Sequence, residues 1–251
     1  MPGVTELMPH TAILGATGTI GSCLARRLAS KGDQVLLVGR SASKLESMGT
    51  ALQQPWRVTN LQQSNALETD LRQASEQYGP LDALVCCVGS ILLKPAHATS
   101  DEEFQEVVAT NLFTAFATVR AGARLLRQRG GSIILFASAA AEIGIPNHEA
   151  IAAAKGGVIG LARSAAATYA PQNLRVNVIS PGLIRTELTR RIWENPAAAS
   201  ASQRLHPLGR LGEPDQVASL AEWLMQPEND WITGQVIGVD GGLAHVLSQS
   251  R

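Results

Sequence analysis

Short apolar runs alternating with longer stretches of helical spacing constrain this chain more than any other feature. The runs fall at residues 11–14, 34–38, 83–88, 132–136, 175–179 and 236–239. Each is too short for a buried helix and apolar without alternation, the pattern of a strand covered on both faces. Parallel strands need crossovers of a dozen or more residues, and the spacers, beginning with residues 19–31, have that length and a helical period. An α/β fold follows: a doubly wound parallel sheet with helices on both faces. With 251 residues, 45% of them hydrophobic and 17% charged, one domain spanning residues 1–251 is expected. Residues 186–214 form the one long segment without a strand. Pro196, Pro207, Gly209, Gly212 and an alanine cluster within it predict a mobile helical insertion on the substrate side.

Composition narrows the function classes. The 21 basic and 21 acidic residues give no net charge, which argues against a nucleic-acid or membrane-surface partner held mainly by charge. No apolar stretch approaches the roughly 20 residues that span a bilayer. The first ten residues, with Pro2, Glu6 and Pro9, lack an export pattern, so a cytoplasmic protein is expected. Cys23, Cys86 and Cys87 are an odd number without C-x-x-C spacing, read as reduced core residues. No metal site is predicted.

Between the first run and the first helix stand Gly15, Ala16, Thr17, Gly18, Thr19, Ile20 and Gly21. Backbone N–H groups at such a strand-to-helix turn can hold a pyrophosphate, aided by the helix dipole, and a Cβ would hold the phosphate off. A tight turn without ligand has the same spacing. The unit predicts a Rossmann-type dinucleotide site. About nineteen residues past Gly21, where an NAD site places a carboxylate on the ribose, come Gly39, Arg40 and Ser41, with Lys44 beyond. A guanidinium fits a 2′-phosphate in forked geometry and Ser41 can add a donor, so NADP(H) is expected over NAD(H). The alternative is a solvated loop arginine.

From Gly15 to about Gly242 the chain resembles the classical short-chain dehydrogenase/reductase family, and within it the ketoacyl-reductase-like members. The resemblance rests on Asn111, Ser138 and Lys155; on Arg175-Val176-Asn177-Val178; on Ser180-Pro181-Gly182 with Thr186; on Gly209-Arg210-Leu211-Gly212-Glu213-Pro214; and on Thr233-Gly234-Gln235 with Asp240-Gly241-Gly242. It implies a catalytic set of Asn, Ser, Tyr and Lys, in which Tyr moves the proton and Lys lowers its pKa and holds the nicotinamide ribose. Asn111, Ser138 and Lys155 match; the tyrosine position carries Ile151. Three other positions depart. Thr19 stands for a glycine, Arg57 for an acid that contacts adenine, and Cys86-Cys87-Val88-Gly89 for Asn-Asn-Ala-Gly. The resemblance also implies that Gly89, Pro181, Gly182, Ile184 and Thr186, with Lys155, touch cofactor, and that the chain assembles as a dimer or tetramer.

The retained residues have readings of their own. Asn111 falls in an apolar stripe with Phe104, Val107, Val108, Leu112 and Phe116, so its amide is expected to be buried, as a structural bridge or as a relay. Lys155 lies on an inward face with Ile151 and Val158, where an ammonium needs acceptors that a ribose diol would supply. Ser138 after a strand serves a substrate oxygen or nearby backbone equally well. His148, seven residues before Lys155, shares its face if a helix begins near Asn147 as N-cap. Enoyl reductases of the same superfamily place their tyrosine at that spacing, which makes His148 a candidate donor; the plain alternative is an exposed histidine beside Glu149. Alanines and glycines from Ala152 to Ala167 invite close approach of another helix.

Two functional expectations result. One is an NADP(H)-dependent oxidoreductase acting on a small apolar substrate, reducing a C=C bond or an unusual carbonyl with Ser138, Lys155, Asn111 and His148. The other is a catalytically silent relative that senses NADP(H) or partners an active chain.

Overall fold

The computed structural model describes residues 10–247; the N-terminal stretch read above as lacking an export pattern lies, except for His10, outside the described residues. Seven parallel strands form one sheet in the order β3-β2-β1-β4-β5-β6-β7. The strands are β1 (His10–Leu14), β2 (Gln34–Gly39), β3 (Trp56–Val58), β4 (Ala83–Cys86), β5 (Gly131–Phe136), β6 (Leu174–Pro181) and β7 (Val236–Val239). Six coincide with the apolar runs. β3 was not among them because it is a three-residue edge strand, Trp-Arg-Val, without an apolar run.

Helices α1 (Thr19–Ser30), α2 (Ala42–Leu52) and α9 (Pro214–Met225) cover one face, burying Leu24, Leu28, Leu45 and Val217 against Ile13, Leu37 and Ile134. Helices α3 (Ser64–Tyr78), α5 (Thr114–Leu126) and α6 (Glu149–Tyr169) cover the other, burying Leu67, Leu126 and Val158 against Leu14, Leu84 and Val176. Alternate strand residues thus enter opposite cores, which explains the continuous apolar runs. Helix α4 (Asp101–Val108) starts at a capping box, with Ser100 Oγ accepting from Glu103 N–H and Glu103 returning the bond. Two short helices, α7 (Arg190–Trp193) and α8 (Pro196–Leu205), fill the insertion. Among the described residues no helix is long and apolar enough to cross a membrane.

The chain reverses direction along the sheet between β1 and β4, the topological switch point where open α/β sheets bind ligands. Gly15 leaves β1 there with φ +80°, and a Cβ on it would lie 3.1 Å from the Cys87 carbonyl carbon. Only glycine fits both the turn and the contact.

Two expectations need correction. Phe104 and Phe116, assigned to an inward stripe with Asn111, are 43% and 47% exposed. The helix there is interrupted by a π-helical turn, Ala109–Phe113, whose extra residue rotates the faces before and after it. Asn147 is not a cap: its φ of 64° is left-handed, and the N-cap of α6 is His148.

Candidate functional site

A cavity of about 390 Å³ opens at the switch point, walled by the loops after β1, β4, β5 and β6 and by the first turns of α6. Asn111, Ser138, His148 and Lys155 all line it, together with Ile151. The structure therefore brings these residues to one place, with Ile151 beside them. Ile151 is buried and packs with Val107, Ala150, Ala154 and the partly buried Leu92.

Lys155 is buried, and its Nζ donates to Phe136 O at 2.8 Å. An ammonium has three protons to place, and among the described residues this is its one hydrogen-bond acceptor. Burial drives its pKa down from 10.5 to about 8, only partly opposed by the neighbouring Cys86. Gly89 lies between Lys155 and Asn111: a Cβ there would be 3.6 Å from Lys155 Nζ and 3.2 Å from Asn111 Oδ1.

Asn111 projects from the π-helical turn with its amide engaged. Nδ2 donates to Ser90 Oγ and to Val107 O, both at 2.9 Å, and Oδ1 accepts from Ser90 N–H at 3.2 Å. Both donors are spent within the protein, so what Asn111 retains for a relay is an acceptor. Ser138 Oγ accepts from Ala140 N–H at 3.2 Å, which leaves its own proton for a ligand oxygen in the cavity. His148 is half-buried, and its Nδ1 sits 2.8 Å from Pro146 O. A carbonyl only accepts, so Nδ1 carries the proton and the neutral ring offers Nε2 as a lone pair. His148 can donate through Nε2 only as the imidazolium. Glu149 is exposed, and Tyr169 lies at the far end of α6.

The glycine loop fits a pyrophosphate on two structural grounds. The N-cap of α1, Gly18, provides no side-chain cap, so first-turn N–H groups of a 12-residue helix remain for a ligand. Gly21 packs so tightly that a Cβ would lie 2.4 Å from Gly15 O. Gly18, Thr19 and Ile20 line the cavity, as do Gly89, Pro181, Gly182, Ile184 and Thr186. Gly15 and Gly21 shape the loop from behind, and Thr17 Oγ1 would be 3.7 Å from a Cβ on Gly39. Thr19 Oγ1, at the position of the missing glycine, accepts from Glu187 N–H at 3.1 Å and ties the segment after β6 to the glycine loop.

At the end of β2, Arg40 is exposed and its guanidinium has no hydrogen bond or ion pair among the described residues, while Ser41 stands at the N-cap position of α2 without a side-chain capping bond, its hydroxyl 3.4 Å from that of Ser43. Arg57 reaches Gln77 Oε1 in the last turn of α3 at 2.7 Å, so its side chain is committed to that helix.

The sequence reading missed several parts of the wall. Ile91, Leu93, Ile145 and Leu243 line the cavity from loops whose apolar residues have no period, and Leu205 and His206 line it from the end of α8. Leu188 and Ile192 also line the cavity, whereas Trp193 is held within the insertion, its indole N–H on Thr186 O at 2.8 Å. Cys87 faces the cavity, and burial pushes its thiol pKa up, away from reactivity.

Fold, switch-point cavity and uncapped glycine loop define a nicotinamide-dinucleotide oxidoreductase scaffold. The chain belongs to the short-chain dehydrogenase/reductase family: residues 15–244 match the family model described as enoyl-(acyl carrier protein) reductase. It is 32% identical over 249 residues to a tropinone reductase homolog of Arabidopsis thaliana, covering 94% of this chain and 93% of that protein. It is also 32% identical over 238 residues to the 3-oxoacyl-(acyl-carrier-protein) reductase FabG of Thermotoga maritima, covering 92% and 96%. Among solved structures, a short-chain dehydrogenase/reductase from Mycobacterium ulcerans superposes with a TM-score of 0.90 at 28% identity, covering 94% of this chain and 90% of that one.

Proposed function

We propose that the chain is an NADP(H)-dependent reductase of a small apolar substrate whose proton does not come from a phenol. The observation that carries this reading is Lys155, an ammonium kept in the cavity wall with one acceptor among the described residues, one turn from a buried isoleucine. Such a group is costly to retain unless a ligand completes its bonds. A bound nicotinamide would supply the hydride. The chain's residues would do the rest: the α1 amides and glycine loop hold the pyrophosphate, Arg40 and Ser41 grip the 2′-phosphate, and Lys155 holds the ribose. Ser138 donates its free proton to the substrate oxygen. That stabilises a developing enolate, a weaker base than an alkoxide, so its protonation by His148 or by water can follow hydride transfer; this suits a polarised C=C bond better than a ketone. His148 lines the same cavity and is the candidate proton donor.

A second reading is favoured by the apolar packing of Ile151 and the spent amide of Asn111: a silent NADP(H)-binding relative. Calorimetric titration with NADPH and NADH tests the cofactor arm, and turnover of enones and ketones by wild type, His148→Ala and Ile151→Tyr tests the chemistry. Enone reduction that falls in His148→Ala supports the first reading. Tight NADPH binding with no turnover in wild type supports the second, and no binding of either nucleotide overturns both.

We further propose a homo-oligomer, cytoplasmic and assembled through α4, α5 and α6. Phe113 and Phe116 are exposed neighbours 6.4 Å apart, and a Cβ at Gly156 or Gly160 would meet nothing within 4 Å. Gly157, by contrast, is filled by Leu112 of the same chain, 2.8 Å from its would-be Cβ. Light scattering of wild type and Phe116→Lys checks the assembly. The insertion's mobility is likewise a proposal, read out by hydrogen exchange across residues 186–214.

A further inference from the structure

Helix α8 forms part of the cavity wall through Ser202 and Leu205, yet none of its residues is buried. Its main packing partner among the described elements is the short α7, itself without a buried residue. A helix with so little apolar contact needs another anchor to keep its place.

His206, the residue that ends it, is 3% exposed. Its Nδ1 lies 2.6 Å from Ser202 O in the last turn of α8, and its Nε2 lies 3.1 Å from the backbone nitrogen of Leu183. The two contacts fix the tautomer. Ser202 O can only accept, so Nδ1–H donates to it; Leu183 N–H can only donate, so Nε2 accepts. The ring fills a space that Gly182 leaves open, since a Cβ on Gly182 would stand 2.6 Å from Nε2. On the other side of this bridge the Leu183 segment is fixed independently. Gly182 N–H donates to Val239 O at 3.1 Å, and Arg185 N–H and Gly212 N–H bond Gly212 O and Leu183 O at 2.9 and 3.0 Å. The loop is therefore held by backbone bonds of its own, whereas α8 buries none of its residues.

We infer that His206 is a positioning residue that pegs α8 to the loop after β6 and so fixes the substrate-side wall of the cavity. His206 reaches the edge of the cavity itself, and its two hydrogen bonds go to Ser202 of α8 and to Leu183 of the loop, so its effect on the wall passes through Ser202 and Leu205. The inference rests on the reductase reading for its kinetic consequence but not for its structural one.

The test compares wild type, His206→Leu, which fills a similar volume without hydrogen bonds, and His206→Gln, whose amide offers both a donor and an acceptor. Hydrogen-exchange mass spectrometry reads residues 196–205, with residues 214–225 of α9 as internal reference. In His206→Leu the α8 amides exchange faster by about tenfold or more, the order expected for losing a buried anchoring bond, while α9 is unchanged. His206→Gln returns part of the protection. With NADPH and 2-cyclohexen-1-one as probe, KM rises in His206→Leu while kcat and calorimetric NADPH affinity hold, and His206→Gln restores KM. Unchanged exchange in α8, or an equal rise in α9, overturns the inference. So does faster α8 exchange with KM unaltered in an enzyme that turns the probe over. If wild type does not reduce the enone, the reductase reading is what fails, and the exchange data alone decide the role of His206.

Discussion

Replacing Lys155 by methionine should stabilise the cofactor-free protein, by an amount that depends on pH in a defined way. Burial lowers the folded-state pKa of Lys155 from 10.5 to about 8, so the folded chain disfavours the charged form that the unfolded chain carries. At about 1.4 kcal/mol per pKa unit, the charge costs the fold about 3 kcal/mol at pH 7. Methionine removes that cost but leaves Phe136 O without its donor, a loss of about 1 kcal/mol, so the net gain at pH 7 is about 2 kcal/mol. The unfolded state binds more protons than the folded state between pH 8 and 10.5, so wild-type stability rises through that window. By pH 9.5 the charge cost has fallen by about 2 kcal/mol, and the advantage of the variant should be nearly gone. Urea unfolding of both proteins at one fixed concentration, at pH 7 and pH 9.5, measures it. A difference between the two proteins that stays constant or widens with pH would refute the burial argument, and with it the claim that Lys155 is held at a cost to the fold.

Three further outcomes follow from the same geometry. Arg40→Ala should weaken NADPH by about ten- to a hundredfold, the worth of a lost charge-assisted pair, and leave NADH unchanged in calorimetry; equal effects on both would remove Arg40 from the 2′-phosphate. Gly21→Ala places a methyl 2.4 Å from Gly15 O and should cost about 2 kcal/mol or more in urea unfolding, whereas Gly156→Ala meets nothing and should gain roughly 0.5 kcal/mol as a helix substitution. Glu222 opposes burial, which raises its pKa, with Lys31 and Arg27, and the net shift is downward. Its stabilising effect is therefore present above the ordinary carboxylate range and is lost as pH falls through the lowered pKa. Glu222→Gln should flatten the acid limb of thermal stability, and an unchanged acid limb would dismiss the network linking α1 to α9.

What was legible in the sequence was whatever the sheet dictates. Residues buried on both faces of a strand leave a continuous apolar run, so six strands and the order of crossovers could be read, and the glycine loop could be placed because Gly15 must turn where β1 ends. The edge strand β3 buries too little to leave a run. Features set by geometry rather than by burial were hidden. One extra residue in the π-helical turn at Asn111 shifts the following face, so Phe116 looks inward by period and stands outward in space. The left-handed Asn147 moves the helix start by one residue, which makes His148 a cap residue outside the first turn, although it still lines the cavity. His206 carries no local signal at all, because its partners lie on the preceding helix and on a loop 23 residues earlier.

Ile151 and Lys155 taken together limit the chemistry more than either does alone. In a site that has lost its acid and its function together, nothing opposes replacement of a buried ammonium by an alkyl chain, and the fold would gain about 2 kcal/mol at pH 7. Here Ile151 is buried one turn before Lys155, and the ammonium remains with Phe136 O as its one acceptor among the described residues. Holding a ribose needs the lysine and not the phenol; protonating an alkoxide needs the phenol and not the lysine alone. The pairing therefore separates binding from proton delivery, and Ile151→Tyr is the substitution that rejoins them. A tyrosine one turn before Lys155 should confer ketone reduction with a basic-limb pKa set by that lysine, at no loss of NADPH affinity. A variant that binds NADPH as wild type does and still leaves ketones untouched would mean that the wall formed by Ser138, Ile145 and Leu205 no longer presents a carbonyl to the cofactor face at all.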